Sequence, residues 1–205
     1  LLGNPPKEFR ATSNTITQLV DTAGKLSQNR RGALIVVDLG SDLRPEDFLY
    51  SGTNIEAQLS TDLLINLFAT DTPLHDGAVL VKGNKIISAG VILPLSRQGI
   101  SRYGTRHLAA LGITERFDRC ICIVVSEETG TLSLANQGKL ERPITSSRLQ
   151  ELLINLIGNQ NSIGTSKSSL GKTALSQKTN QGDNIIKDIK EKDSNKSESL
   201  TNIKD

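Results

Sequence analysis

Gly32-Ala33-Leu34-Ile35-Val36-Val37 is an unbroken apolar run that ends on the polar Asp38. A short apolar run without alternation reads as a strand covered on both faces, which belongs in the middle of a sheet with helices above and below it. Cys120 to Val125 has the same character. Ala78 to Val81 and Ile86 to Leu93 are β-rich runs separated by Lys82-Gly83-Asn84-Lys85, whose Gly-Asn centre marks a tight hairpin. Thr131 to Ala135 alternates as a further strand, and Gln137-Gly138 turns after it.

Helical spacing supplies the covering layers. After Pro5-Pro6, Thr12 or Ser13 is expected to cap a helix whose apolar positions Ile16, Leu19, Val20 and Ala23 recur at i, i+3, i+4 and i+7. Gly24 to Arg31 reads as a polar break and Leu43 to Asn54 as a loop. Ile55, Leu59, Leu63, Leu64, Leu67 and Phe68 mark a second amphipathic helix. Thr105 is placed to cap a short helix. Ser147-Arg148-Leu149-Gln150 opens a last one, with a capping-box spacing and a face of Leu149, Leu152, Leu153, Leu156 and Ile157. Strands interleaved with helices give an α/β (α+β) domain over 32–157, preceded by a segment and helix over 1–31.

From Gly158 the composition turns to Ser, Asn, Gln, Lys and Thr, and the tail 158–205 is expected to be disordered, because it has too little apolar surface to offset ordering entropy. That tail holds eight Lys against six carboxylates, which accounts for the whole net charge of +2. The body is neutral, so any phosphate binding rests on a few placed groups and backbone dipoles, and a nucleic-acid-coating role is not expected. Aromatic residues at 3% also argue against base-stacking platforms. Cys120 and Cys122, two apart on a strand, share a face and read as small buried hydrophobes in a reducing compartment.

Three polar clusters stand at element boundaries: His75-Asp76-Gly77-Ala78 entering a strand, Gly104-Thr105-Arg106-His107 entering a helix, and Ser126-Glu127-Glu128-Thr129-Gly130 leaving a strand. Sites in sheet proteins gather at such ends. Asp76 can ligate a cation or accept a proton, and Gly77 and Ala78 leave room for a bulky anion. Arg106 offers a fork for phosphate oxygens beside the positive end of a helix. Each cluster also has a plain reading: a hairpin turn, an ordinary N-cap and a surface turn. His75 is as well suited to a structural hydrogen bond as to metal ligation.

Together, Pro73-Leu74-His75-Asp76-Gly77-Ala78, Leu93-Pro94-Leu95-Ser96, Gly104-Thr105-Arg106-His107 with Ala109-Ala110-Leu111-Gly112, and Val125-Ser126-Glu127-Glu128-Thr129-Gly130 resemble the diadenylate cyclase domain. The resemblance covers roughly residues 32–157 and implies a mixed central sheet flanked by helices, condensing two ATP into cyclic di-AMP across a homodimer of facing half-sites. It implies Asp76, Arg106 and His107 as catalytic residues. Gly77, Ala78, Leu93, Gly104, Thr105, Arg106, His107, Ser126 and Glu128 would bind nucleotide, and His75 and Asp76 would hold a divalent metal ion (Mg²⁺, Mn²⁺ or Co²⁺). The membrane-anchored type is the nearer likeness, so transmembrane helices are expected before residue 1, with residues 1–31 juxtamembrane on the cytoplasmic side. A regulatory protein partner stays unspecified. One departure is that the family's Arg-His-Arg reads Arg106-His107-Leu108 here. It leaves open an alternative reading as a nucleotide-binding sensor with little turnover, whereas Leu108 packing inward with Leu111, and Arg97 or Arg102 supplying charge, fits an active enzyme.

Overall fold

The computed structural model describes residues 7–98 and 103–158, with side chains from residue 12 onward. Arg102 and the tail beyond Gly158 lie outside the described residues. The strands are β1 (Ala33–Asp38), β2 (Thr53–Gln58), β3 (Ala78–Lys82), β4 (Lys85–Val91), β5 (Cys120–Val125), β6 (Leu132–Asn136) and β7 (Lys139–Ile144), and the helices α1 (Lys7–Gln28), α2 (Thr61–Leu67), α3 (Thr105–Arg116) and α4 (Ser146–Gly158). All seven strands join one sheet in the order β2-β4-β3-β1-β5-β6-β7, with β1 in the middle as its unbroken apolar run requires. The sheet is mixed: β1 runs parallel to β3 and antiparallel to β5, and the other neighbours are antiparallel.

Period-two alternation divides β1 between two cores. Ala33, Ile35 and Val37 face a layer built with Leu19, Ala23 and Leu26 of α1, Leu64 of α2 and Leu149 and Leu153 of α4. Leu34 and Val36 face the other way, against Ala109, Ala110 and Ile113 of α3. Cys120 and Cys122 lie on the α3 side, both free and fully buried, as small hydrophobes. Burial raises the Cys122 thiol pKa well above its ordinary value, with Cys120 adding to the rise, so it stays a neutral thiol. The Gly83-Asn84 hairpin forms between Lys82 and Lys85, with Gly83 at φ +59°.

Several expected boundaries move. α1 starts at Lys7 and places Thr12 and Ser13 inside the helix, because Lys7-Glu8-Phe9-Arg10-Ala11 holds good helix formers and no breaker. It also continues through Gly24 to Gln28, burying Leu26 one turn beyond Ala23. Packing does not demand a glycine at this point, since a Cβ on Gly24 would make ordinary contact 3.5 Å from Ser146 Oγ of α4. The expected loop from Leu43 contains a 3₁₀ turn at Pro45–Asp47 and then β2. Ile55, assigned by its spacing to the second helix, stands on β2, and the helix begins after Ser60, whose Oγ accepts from Leu63 N–H at 3.2 Å. β7 was not expected at all, because Lys139-Leu140-Glu141-Arg142-Pro143-Ile144 is polar and contains a proline; its position at the sheet edge is where a proline is tolerated. α4 begins at Ser146, and Thr145 accepts from Arg148 N–H at 3.1 Å in place of Ser147. No helix among the described residues is long and apolar enough to cross a membrane.

Candidate functional site

Sheet topology explains why clusters far apart in sequence meet. Because β3 runs with β1 and β5 runs against it, the entry to β3, the entry to β1 and the exit from β5 share one end of the sheet. Ala33 pairs with Val125, so Gly32 lies beside Ser126, and His75-Asp76-Gly77 lies on the other side of β1. Two strand spacings put the outer clusters roughly 10 Å apart. α3 packs on the face above and brings Gly104, Thr105 and Arg106 to the same end.

Two adjoining cavities result. One, of about 410 Å³, is walled by Leu34, Val91, Leu93 and Ala109, with His75, Asp76 and Gly77 at its edge. The other, of about 620 Å³, is polar, with Gly104, Thr105, Ser126, Glu128 and Arg142 among its walls. Thr105, Arg106 and Glu127 border both. Arg106 Nη1 donates to Glu127 Oε2 at 2.8 Å, so this ion pair stands between the cavities. A Cβ on Gly32 would come within 2.6 Å of Arg106 Nη1 and 3.0 Å of Glu127 Oε2, so the glycine leaves the pair its space.

α3 is capped by Gly104 and not by Thr105, and no side chain bonds its first amides. A Cβ on Gly104 would meet nothing within 4 Å, so packing does not require glycine there and its bareness keeps the cavity open. Ser126 Oγ accepts from Thr129 N–H at 3.3 Å, which shapes the turn and leaves the hydroxyl proton free to donate outward. Asp76 is exposed and takes part in no ion pair among the described residues.

Not every expected site residue presents its side chain. Ala78 is fully buried in the α3-side core. Gly77 is held at φ +145° with its Cα against the backbone of Gly90, where a Cβ would be 2.6 Å from the carbonyl carbon. His107 is buried at 6% exposure, with Nε2 at 3.2 Å from Ser133 Oγ. Burial lowers its pKa below the ordinary value, and the Arg142 guanidinium adds to the shift. Leu108 is buried at 7% exposure, packed inward as expected. Gly32, Glu127 and Arg142 were not singled out as site residues. Glu127 sat in view within the third cluster, whereas Gly32 and Arg142 reach the site only through strand order.

His75 Nδ1 lies 2.5 Å from Thr72 O; a carbonyl only accepts, so Nδ1 donates, and Nε2 is the ring nitrogen this bond leaves over. A backbone bond of this kind is the usual support of a metal-ligating imidazole. Among the described residues no three His, Cys, Asp or Glu side chains gather into a metal cage. His75 and Asp76 could supply at most two protein ligands to a metal ion.

Residues 20–140 match the DAC family model, described as DisA bacterial checkpoint controller nucleotide-binding. The chain is 40% identical over 153 residues to the cyclic di-AMP synthase CdaA of Bacillus subtilis, covering 74% of this chain and 54% of that protein, about half its length. Among solved structures, a double mutant of DacA from Staphylococcus aureus superposes with TM-score 0.65 at 36% identity, covering 71% of this chain and 96% of that one. A hypothetical membrane spanning protein from Bacillus cereus gives TM-score 0.58 at 41% identity, covering 63% of each chain.

Proposed function

The chain belongs to the DAC family of nucleotide-binding domains, and from that premise we propose that it is a diadenylate cyclase, condensing two ATP into cyclic di-AMP and two pyrophosphates. The observation that carries this reading is the convergence of the three clusters on two adjoining cavities joined at Arg106. The apolar cavity bordered by Leu93 suits an adenine base, and the polar cavity behind Arg106 suits a phosphate chain. Asp76 stands at the edge of the first, where the ribose joining base to phosphate would pass.

Each ribose 3′-oxygen attacks the α-phosphorus of the opposite ATP; the α–β phosphoanhydride bond breaks and pyrophosphate leaves in line. Positioning and charge neutralisation carry most of such a reaction. Asp76 accepts the proton of the 3′-hydroxyl, and Arg106 leaves Glu127 to take phosphate oxygens. The open amides at Thr105 and Arg106 and the Ser126 hydroxyl donate to the phosphates. Gly104 keeps the backbone bare along the path, and buried His107 positions the start of α3 through Ser133. His75 and Asp76 would hold a divalent metal ion, which would neutralise phosphate charge.

Catalysis requires a second copy, because the product has two equivalent linkages and a twofold pair of half-sites makes both with one set of residues. The catalytic unit is 32–157, and its place is the cytoplasmic face of a membrane. The family's anchored type supports that place, as does the likeness to a membrane spanning protein from Bacillus cereus. The test is incubation of the purified chain with ATP and Mg²⁺, Mn²⁺ or Co²⁺, with cyclic di-AMP read by mass. Product with any of these metals is expected. ATP binding without product under all of them leaves a nucleotide sensor instead, the reading that the missing cation at Leu108 would then explain.

A further inference from the structure

We propose that Arg142, on edge strand β7, is a second phosphate-binding cation of this site and sets its affinity for the pyrophosphate portion of the nucleotide. The inference rests on the nucleotide reading above. Among the described residues, four charged side chains border the polar cavity: Arg106 and Arg142 against Glu127 and Glu128. Arg106 is already matched by Glu127 at 2.8 Å. Without Arg142 the wall would carry a net negative charge and repel a polyphosphate. With it the described wall is neutral, and a second guanidinium, not held by Glu127, stands ready beside Arg106.

Arg142 is placed for this task. It has no carboxylate partner among the described residues, and the acid next to it in sequence, Glu141, is engaged by Arg148 at 2.8 Å. The Arg142 guanidinium stands over the Tyr103 ring at 5.6 Å, and that ring lies 6.3 Å from the His107 imidazole at the start of α3. A stacked arginine keeps its planar fork free for phosphate while losing less rotamer entropy on binding. The pairing of β6 with β7 fixes the strand that carries it, with Leu134 opposite Glu141. The charge reaches His107 as well, lowering its pKa second to burial.

Calorimetric titration of the full chain and of Arg142→Ala and Arg142→Lys with inorganic pyrophosphate and, separately, with adenosine tests the assignment. A charge-assisted hydrogen bond converts to roughly a ten- to hundredfold change in affinity. Arg142→Ala is expected to lose pyrophosphate affinity by about that factor while adenosine binding stays within about twofold, and Arg142→Lys is expected to recover part of the loss. Unchanged pyrophosphate affinity in Arg142→Ala overturns the proposal. Equal loss of both ligands in both variants also overturns it, since that marks Arg142 as a support of the strand. Product formation is read separately by mass. A wild-type chain that makes no cyclic di-AMP but shows the selective pyrophosphate loss retires the cyclase reading alone. An active chain whose Arg142→Ala variant binds pyrophosphate normally retires this one alone.

Discussion

At Gly77 the backbone takes φ +145° and its Cα rests against Gly90, so a side chain there meets main chain before any ligand arrives. Gly77→Ala is therefore expected to cost roughly 1–3 kcal/mol of stability in urea denaturation, the usual range for forced backbone strain. A loss below ~0.5 kcal/mol, the range of an ordinary surface change, would show that this glycine serves the ligand only. Gly32 differs, because what a Cβ would strike is the movable end of Arg106. Gly32→Ala is expected to fold normally and weaken ATP binding by pushing the Arg106 guanidinium out of its place between the cavities; wild-type affinity would refute this. His107 makes a third prediction at this scale. Its folded pKa is lowered below the ordinary 6.5, by burial first and Arg142 second, so the unfolded chain binds more protons at and below that pH. Stability is expected to fall as the solution is acidified through the ordinary histidine range. With only two histidines in the chain, proton NMR can assign His107 and follow it; titration at or above 6.5 would contradict the burial argument. The clusters that carry chemistry were legible in sequence because each is a compact run at an element end. Gly32 and Arg142 were not, because what gives them a role is a neighbour brought by sheet order.

The C-terminal turn of α1 and the turn after β5 are locked together. Ser27 Oγ donates to Gly130 O at 2.6 Å, and a Cβ on Gly130, held at φ +72°, would come within 2.5 Å of Ser27 O. The turn so held carries Ser126, Glu127 and Glu128, so α1 supports the site as well as covering the sheet. Gly130→Ala is expected to lower the melting temperature and weaken ATP binding several-fold, with Ser27→Ala showing the same pattern more mildly. Full affinity in both would mean that the turn keeps its shape without the helix. None of this was readable from spacing, since Gly24 and the polar residues after it looked like a break, while the buried Leu26 one turn beyond Ala23 is what holds the helix on. The same competition explains β2. Ile55, Leu59 and Leu63 fit a helical spacing, but pairing with β4 on a free sheet edge claims the first of them, and Ser60 caps a helix that starts only at Thr61. Fully buried strands announce themselves through composition. Edge strands such as β2 and β7, half solvated and polar, do not.

On the scale of the whole molecule, the proposed chemistry needs more than the chain contains. One chain offers one Asp76, one Arg106 and one pair of adjoining cavities at one end of a single sheet, while the proposed product has two equivalent linkages. If each subunit contributes half of the reaction, turnover per chain is a property of the pair and must follow the pairing equilibrium. Specific activity is then expected to fall on dilution, as the dimer population does by mass action. Mixing sharpens the argument. In a pair made of one wild-type and one Asp76→Asn chain, only one 3′-hydroxyl has its carboxylate, so one linkage forms and the ring does not close. At equal amounts of the two chains and random pairing, about half of the wild-type chains sit in such mixed pairs, so cyclic di-AMP made per wild-type chain is expected to drop by roughly half while a linear dinucleotide accumulates. Mass spectrometry separates the two products. If the yield per wild-type chain is unchanged by both dilution and mixing, a single chain closes the ring alone and the half-site reading is wrong.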